Sequence, residues 1–196
     1  MNGRTAETHR VTNETDVRVR VNLDGSGQQD IESGIPFFDH MLSQLARHGR
    51  MDLEIKAKGD LEIDGHHTVE DIGLTLGQAI NEALGERRGI ARFAHAYVPL
   101  DEALIRVVVD FSGRGYLVYR AQFETPMIGD LQTELVEEFF KALVMEGRLN
   151  LHVESLYGRN QHHIVETMFK AAARAIHHAT RVVFDDGEVP STEGSL

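Results

Sequence analysis

The chain has 196 residues, of which 41% are apolar and 26% are charged, a composition typical of a globular protein with a buried core. It contains no cysteine, so disulfides, thiolate nucleophiles and cysteine-ligated zinc are excluded, and any metal site has to use His, Asp and Glu. The formal net charge of −11 argues against a nucleic-acid partner, because a phosphate backbone requires a basic surface. Neither a membrane-spanning run nor the apolar core of a signal peptide is present in the sequence, which predicts a cytoplasmic protein without a membrane partner.

The first half of the chain predicts a strand pair, a helix, a second strand pair and a second helix. Strands are indicated by alternating apolar and polar residues, and helices by apolar residues that recur every three to four positions. The predicted segments are the strands 16–22 and 28–32, the helix 37–48, the strands 52–57 and 60–64, and the helix 68–84. Turn residues at 24–27 and 58–59 predict that each strand pair is a hairpin, and Gly49 is placed to end the first helix.

The second half repeats this order with one strand fewer. Its predicted segments are the strands 103–111 and 116–123, the helix 131–145, the strand 149–156 and the helix 165–180. The turn at Ser112-Gly113 predicts that the first two of these strands pair with each other as a hairpin.

The two halves also match residue by residue. Segment 49–55 (GRMDLEI) matches segment 147–153 (GRLNLHV), 98 positions later, and segment 65–70 (GHHTVE) matches segment 161–166 (QHHIVE), 96 positions later. The difference of two residues falls in the turn between the segments, where a change in length costs little. The sequence therefore predicts an internally duplicated α+β fold.

Each repeat is predicted to be a small sheet covered on one face by two helices. We expect the first repeat to span residues 1–97 and the second to span residues 98–196. No linker separates them, so we expect both repeats to pack as one unit.

Each half carries the motif His-His-x-x-x-Glu at the start of its second helix. The motif residues are His66, His67 and Glu70 in the first half and His162, His163 and Glu166 in the second. Residues three and four apart share one face of a helix, so each Glu can stand beside its histidines. Adjacent histidines point about 100° apart, which favours two different metal ions over chelation of one.

A lone His-His pair is usually an accident of a helix surface, and the chain contains such a pair for comparison. His177 and His178 have no carboxylate three or four residues later, and we interpret them as helix surface. The complete motif in both repeats favours metal binding instead. His40 and Glu138 lie 98 positions apart, at equivalent places on the first helix of each half, and both residue types ligate metals. Imidazole with carboxylate suits manganese, iron or zinc, and the residues alone leave this choice open.

Four segments closely resemble the imidazoleglycerol-phosphate dehydratases of histidine biosynthesis. They are 37–42 (FFDHML), 64–71 (DGHHTVED), 160–166 (NQHHIVE) and 169–171 (FKA), and the resemblance extends from about Thr8 to the C-terminus. It implies a duplicated α+β fold like the second domain of ribosomal protein S5. It also implies a homo-oligomeric shell of 24 subunits, with active sites at subunit interfaces that each hold two Mn²⁺ ions.

The resemblance assigns roles to particular residues of this chain. The implied metal ligands are His40, His66, His67, Glu70, Glu138, His162, His163 and Glu166. The implied catalytic residues are Glu14 and His48, and the implied substrate contacts are Gln44, Arg92, Arg114, Lys170 and Ser191. Many relatives have His in place of Glu138. Two arginines and a lysine are suited to one phosphate group, because cationic side chains donate strong hydrogen bonds to its oxygens.

The C-terminal segment departs from the family pattern. Relatives usually end in Ser-Ser/Thr-Lys-Gly, with the lysine reaching the phosphate, whereas this chain has Ser191-Thr-Glu-Gly194. We expect Ser191 to contribute to substrate binding while Glu193 turns to solvent, with weaker binding than in relatives.

The reaction implied by the resemblance is the dehydration of imidazoleglycerol phosphate to imidazole-acetol phosphate. The hydrogen that is removed is barely acidic, so general-base catalysis alone, worth roughly 10²–10⁴-fold, is not enough. Two manganese ions that hold the ring as an imidazolate would favour loss of the hydroxyl through a diazafulvene-like intermediate. The alternatives are a two-metal hydrolase such as a phosphatase, and a metal-assembled structural shell without activity.

Overall fold

A computed structural model describes residues 3–185 and 187–196 of the chain. These residues form two four-stranded sheets, four long helices and one short hairpin. The strands are β1 (Thr5–Val11), β2 (Thr15–Asn22), β3 (Gln29–Glu32), β4 (Asp52–Gly59), β5 (Phe93–Leu100), β6 (Ala103–Asp110), β7 (Tyr116–Arg120), β8 (Met127–Ile128), β9 (Leu131–Gln132) and β10 (Asn150–Tyr157). The helices are α1 (Pro36–Gly49), α2 (His66–Leu84), α3 (Leu135–Gly147) and α4 (Gln161–Thr180).

The two sheets have the same topology, which confirms the duplicated α+β fold. The strand order is β1-β2-β4-β3 in the first sheet and β5-β6-β10-β7 in the second. In each sheet three strands are antiparallel, and the last strand lies parallel to its neighbour. Strand β5 belongs to the second sheet, and the predicted boundary between the repeats, between residues 97 and 98, falls within it. That boundary stays a prediction.

Three predictions about the strands were wrong. Strands β1 and β5 were missed, since both are largely exposed and lack a strong apolar alternation. The predicted hairpins do not form, because β4 lies between β2 and β3, and β10 lies between β6 and β7. A helix connects β3 to β4 and another connects β7 to β10, and such crossovers return the chain in the same direction and make the pairing parallel. Residues 60–64 form turns instead of a strand.

The helices of each half cover one face of their own sheet and pack against the helices of the other half. Helix α1 contacts α4, and α2 contacts α3. The inward residues of β2 and β6, such as Val19 and Val107, are fully buried under them. The rings of Phe139 and Phe169 stack, and the ring of Phe38 contacts both of them edge-on, so these rings connect helices of both halves. The two repeats therefore share one core. Within the described ranges, no helix combines the length and the apolar character that crossing a membrane requires.

Two glycines on α2 allow α3 to approach closely. A Cβ atom added at Gly77 would lie 2.4 Å from the carbonyl oxygen of Leu143 and 2.8 Å from the amide nitrogen of Gly147. A Cβ atom added at Gly73 would lie 2.8 Å from the carbonyl oxygen of Phe139. Because these are backbone atoms of α3, a side chain at either position would push the two helices apart.

We predict that Gly77→Ala destabilises the protein by about 1–3 kcal/mol, although Ala is the better helix former. The cause is the clash with the α3 backbone, so the sign of the change reports the close helix approach. Denaturant unfolding of the purified variant measures it. Gln78→Ala, on the exposed side of the same helix, should change stability by less than about 0.5 kcal/mol. Stabilisation by Gly77→Ala would contradict the close packing of α2 on α3.

Candidate metal centre

Three of the predicted ligands converge between α1 and α4, and we call them the His40 group. It consists of His40, His162 and Glu166, whose ligand atoms all lie within 4.8 Å of one another. The Glu166 carboxylate is 2.9 Å from His162 Nε2 and 3.3 Å from His40 Nε2. Helix α1 supplies one residue and α4 supplies two, so this group requires the contact between the two halves.

The equivalent residues of the duplication converge between α2 and α3, and we call them the Glu138 group. It consists of His66, Glu70 and Glu138, whose ligand atoms also lie within 4.8 Å of one another. Lys141 donates a hydrogen bond of 3.2 Å to Glu138. The group has two carboxylates and one imidazole, whereas the His40 group has two imidazoles and one carboxylate.

Polar residues at the helix starts place the motifs in the first turns of α2 and α4. The Asp64 carboxylate accepts a hydrogen bond of 2.8 Å from the amide of His66. The Asn160 side chain accepts from the amides of His162 and His163 at 3.0 and 3.4 Å. Such capping satisfies amides that have no partner inside the helix. Helix α2 therefore starts at the first residue of its motif, His66, and α4 starts one residue before its motif, at Gln161. Both starts are earlier than the sequence predicted.

The second histidine of each motif points away from the first. The ring centroids of His66 and His67 are 6.0 Å apart with an interplanar angle of 84°, and those of His162 and His163 are 6.2 Å apart with an angle of 86°. His67 lies outside the Glu138 group, and its ligand atom is within 4.8 Å of carboxylate oxygens of Glu14 and Asp60, whereas His163 joins no such group among the described residues. This geometry agrees with the prediction that adjacent histidines serve different ions.

A carboxylate fixes the orientation of each second histidine. His67 Nδ1 is 2.9 Å from the Asp60 carboxylate, and His163 Nδ1 is 2.8 Å from the Glu102 carboxylate. A carboxylate on one ring nitrogen is the usual partner of a histidine whose other nitrogen binds a metal. Neither Asp60 nor Glu102 is among the site residues predicted from the sequence. The equivalence of Glu102 to the predicted catalytic residue Glu14 could have indicated it, because each directly precedes the second strand of its sheet.

Hydrogen bonds keep the site carboxylates ionised. Burial raises the pKa of Glu166, but hydrogen bonds from Lys170, His162 and His40 outweigh burial and lower the pKa to about 2. Backbone amides of Asn160 and Arg159, with His163, lower the pKa of Glu102 to about 2. The carboxylates of Glu166 and Glu102 are therefore negatively charged at neutral pH, which is the form that attracts a cation.

Two predicted substrate contacts, Gln44 and Lys170, and the predicted catalytic residue His48 lie beside the His40 group. His40, Gln44 and His48 follow one another at intervals of four residues on α1, so they share one face of the helix. Lys170 Nζ is 2.6 Å from Glu166 Oε1. Burial, together with the charges of Lys170 and Arg174, lowers the pKa of His48 and favours its neutral form.

The remaining basic residues line a cavity of about 330 Å³ beside the C-terminal segment. Its lining includes Arg92, Arg114, Ser191 and Glu193. Arg92 is anchored there by hydrogen bonds of 2.8 Å to the Asp110 carboxylate and 2.8 Å to the carbonyl of Pro190. Glu193 is exposed, yet it lines the same cavity. Among the described residues, no hydrogen bond or ion pair connects this cavity to the His40 or Glu138 group.

The donor atoms of both groups fit a divalent metal ion. In each group, imidazole nitrogens and carboxylate oxygens lie within 4.8 Å of one another, a set suited to manganese, iron or zinc. His177 and His178, at the end of α4, join no group of three potential ligands in the described part of the chain. His178 is exposed and His177 is half-buried, and their lack of a role in metal binding stays a prediction.

Comparisons with known proteins agree on one family. The family model "Imidazoleglycerol-phosphate dehydratase" matches residues 33–176. Curated proteins of that name include one from Gluconacetobacter diazotrophicus, 58% identical over 98% of both chains, and one from Methylococcus capsulatus, 56% identical over the full length of both. Crystal structures of imidazoleglycerol-phosphate dehydratases are also similar. The Staphylococcus aureus enzyme has a TM-score of 0.81 and 37% identity, over 89% of this chain and 97% of that one. The Pyrococcus furiosus enzyme, in complex with (S)-C348, has a TM-score of 0.82 and 36% identity, over 96% of this chain and 99% of that one.

We predict that His162→Asn weakens Mn²⁺ binding at the His40 group by at least about 10-fold, because one of three converging donors is lost. Calorimetric titration of metal-stripped protein, with metal analysis after dialysis, measures the change. His178→Asn on the same helix is the matched control and should leave the affinity for Mn²⁺ unchanged. Equal affinities in the two variants would exclude His162 as a ligand.

Proposed function

Because the chain belongs to the imidazoleglycerol-phosphate dehydratase family, we propose that it dehydrates imidazoleglycerol phosphate to imidazole-acetol phosphate in histidine biosynthesis. The observation that carries this proposal is the convergence of equivalent ligands from both repeats into the His40 and Glu138 groups. The enzyme is a metal-dependent lyase with two Mn²⁺ ions in each active site. The residues of the His40 and Glu138 groups would hold these ions, which would supply Lewis-acid stabilisation of the charge that the imidazole ring carries as the hydroxyl leaves.

Glu14 and His48 are the proposed proton-handling groups. The side chain of Glu14 is 54% exposed, with its carboxylate 3.8 Å from His67 Nδ1, so it can reach a substrate held at the metal ligands. His48 lies two turns along α1 from His40 and favours the neutral form, which can accept a proton. One group removes the hydrogen from the carbon adjacent to the one that bears the departing hydroxyl, and the other protonates that hydroxyl as it leaves as water. The enol that remains becomes the ketone.

The phosphate of the substrate is assigned to the basic residues. Arg92, Arg114 and Ser191 line one cavity, and they offer guanidinium and hydroxyl donors to phosphate oxygens. Lys170 and Gln44 contact the substrate from the side of the His40 group. Because no contact within the described chain joins the cavity to that group, we propose that different subunits supply the two ends of one active site.

The proposed assembly is a shell of 24 identical subunits with active sites at their interfaces. The orientation of His67 and His163 supports shared sites. Each has its Nδ1 held by a carboxylate of its own chain and lies outside the three-residue group beside it. Their Nε2 atoms, of which that of His163 lies 3.9 Å from the exposed carboxylate of Asp101, can then complete the metal coordination of a neighbouring subunit.

We predict that metal-stripped protein turns over imidazoleglycerol phosphate only after Mn²⁺ is added, with the phosphate retained in the product. Product analysis by mass spectrometry and a free-phosphate assay measure this outcome. Release of inorganic phosphate would instead indicate a two-metal hydrolase. Two bound ions per active site with neither product would indicate a structural role for the metal.

We also predict that Glu193→Lys lowers the KM for the phosphorylated substrate by roughly 3- to 10-fold, because a carboxylate that lines the phosphate cavity is replaced by a cation. The decrease should shrink at high salt, since the position is exposed. Steady-state kinetics of the Mn²⁺-loaded enzyme at two salt concentrations measure it. Glu62→Lys, an exposed charge reversal outside this cavity, should leave KM unchanged, and an unchanged KM in Glu193→Lys would exclude a tuning role for Glu193.

A further inference from the structure

We propose that Asp60 is a positioning residue that holds His67 in place of Glu14 and thereby leaves Glu14 free for proton transfer. The inference rests on the proposed function and concerns the same active site. Its basis is a comparison of the two repeats, which treat two equivalent glutamates differently.

Glu14 and Glu102 occupy equivalent positions in the duplicated fold. Each is the last residue before the second strand of its sheet, since β2 begins at Thr15 and β6 begins at Ala103. Both carboxylates face the second histidine of the motif in their own repeat. Glu14 lies 3.8 Å from His67 Nδ1, and Glu102 lies 2.8 Å from His163 Nδ1. The fold therefore places a carboxylate at this histidine in both halves.

In the second repeat, the glutamate is fully engaged by this histidine and by the adjacent loop. Glu102 Oε2 holds His163, and its Oε1 accepts hydrogen bonds from the amides of Arg159 and Asn160 at 3.0 and 2.7 Å. Its side chain is only 27% exposed. A carboxylate with both oxygens occupied is suited to orient a histidine and is poorly placed to exchange a proton with substrate.

In the first repeat, the carboxylate closest to the second histidine, His67, is that of Asp60 and not that of Glu14. Asp60 Oδ2 is 2.9 Å from His67 Nδ1, closer than Glu14 by most of an ångström. Asp60 directly follows β4, and the residue that directly follows β10 in the second repeat is Gly158, which has no side chain. The connection from β4 to α2 is also longer, at residues 60–65 against 158–160 in the second repeat. Only the first repeat therefore has an acidic residue at this position.

The hydrogen bonding of Asp60 indicates that its position is not explained by stability alone. Its Oδ1 is buried and has no hydrogen-bond partner among the described residues. A buried acceptor without a partner costs roughly 1–3 kcal/mol, so natural proteins have few of them. The contact with His67 is the interaction through which Asp60 affects the active site.

In the first repeat, two carboxylates therefore have separate roles, with Asp60 orienting His67 and Glu14 facing the substrate. With Asp60 on His67, the Glu14 side chain stays 54% exposed next to the metal ligands. Without Asp60, the geometry of Glu102 and His163 shows where Glu14 would go. It would move onto His67 Nδ1, orient that ligand and lose its access to substrate.

A double-mutant cycle of Asp60→Ala and Glu14→Gln tests this inference, with Mn²⁺ affinity measured by calorimetry and kcat measured on the Mn²⁺-loaded enzyme. Glu14→Gln alone should lower kcat by at least about 100-fold while the affinity for Mn²⁺ stays within about 2-fold. Asp60→Ala alone should lower kcat by more than about 10-fold with a small loss of affinity, because Glu14 then holds His67. The double variant should lose about 10-fold in Mn²⁺ affinity, since the amide oxygen left at position 14 accepts from His67 Nδ1 more weakly than a carboxylate does.

Two further variants show whether the effect is specific to positioning. Asp60→Asn keeps an acceptor for His67 Nδ1 and should retain a kcat well above that of Asp60→Ala. Glu62→Gln, in the same loop and exposed, should change neither kcat nor Mn²⁺ affinity. Where Asp60→Ala does not fold, Asp60→Gly, which reproduces the residue of the second repeat, takes its place in the cycle.

Two results would overturn the inference. The first is a wild-type kcat in Asp60→Ala, and the second is an effect of Glu14→Gln on Mn²⁺ affinity that is the same with and without Asp60. The affinity measurements do not require turnover. A protein that binds Mn²⁺ with the predicted coupling but does not dehydrate the substrate would therefore refute the proposed function and leave the role of Asp60 supported.

Discussion

The packing of helices from one repeat against helices from the other is the contact on which both metal groups depend. Helix α1 brings His40 to the ligands of α4, and α3 brings Glu138 to the ligands of α2. On the α2 side, Gly73 and Gly77 let the α3 backbone approach to a distance that a side chain would prevent. A change of a few tenths of an ångström in this packing alters metal geometry, because ligand distances tolerate only small deviations.

Part of the negative charge of this protein lies at the candidate metal centre. The chain carries a net charge of −11, and several of its acidic groups are fixed at the candidate metal centre. The groups differ in composition, with one carboxylate in the His40 group and two in the Glu138 group. Of the residues assigned to the substrate, Gln44 lies on α1, Lys170 lies on α4, and Arg92 and Arg114 lie beside the C-terminal segment. Lys170 Nζ is also 2.6 Å from Glu166 of the His40 group, so one basic residue assigned to the substrate borders a candidate metal group.

The sequence predicted the parts of this protein that local patterns encode. The His-His-x-x-x-Glu motifs and the four helices follow from spacing within one segment, and the duplication follows from the comparison of two segments. The first histidine and the glutamate of each motif converge with a residue of the other repeat as potential ligands. Strand pairing was predicted poorly, because β4 enters between β2 and β3 only after the chain has passed through α1. Asp60 and Glu102 were missed for the same reason. Their partners His67 and His163 are distant in sequence or separated by a loop, and an acidic residue in a turn usually indicates only solvent exposure.

The packing of helices from one repeat against helices from the other also bears on the origin of the fold. Each repeat supplies one helix to the His40 group and its other helix to the Glu138 group. A single repeat could therefore assemble two identical groups by pairing with a copy of itself around a two-fold axis. A half-length ancestor that functioned as a homodimer would already have had both centres. Fusion of its two copies into one polypeptide removed the requirement that they stay identical. Glu138 opposite His40, and Asp60 opposite Gly158, are then substitutions that only a fused gene could fix on one side of the former symmetry axis.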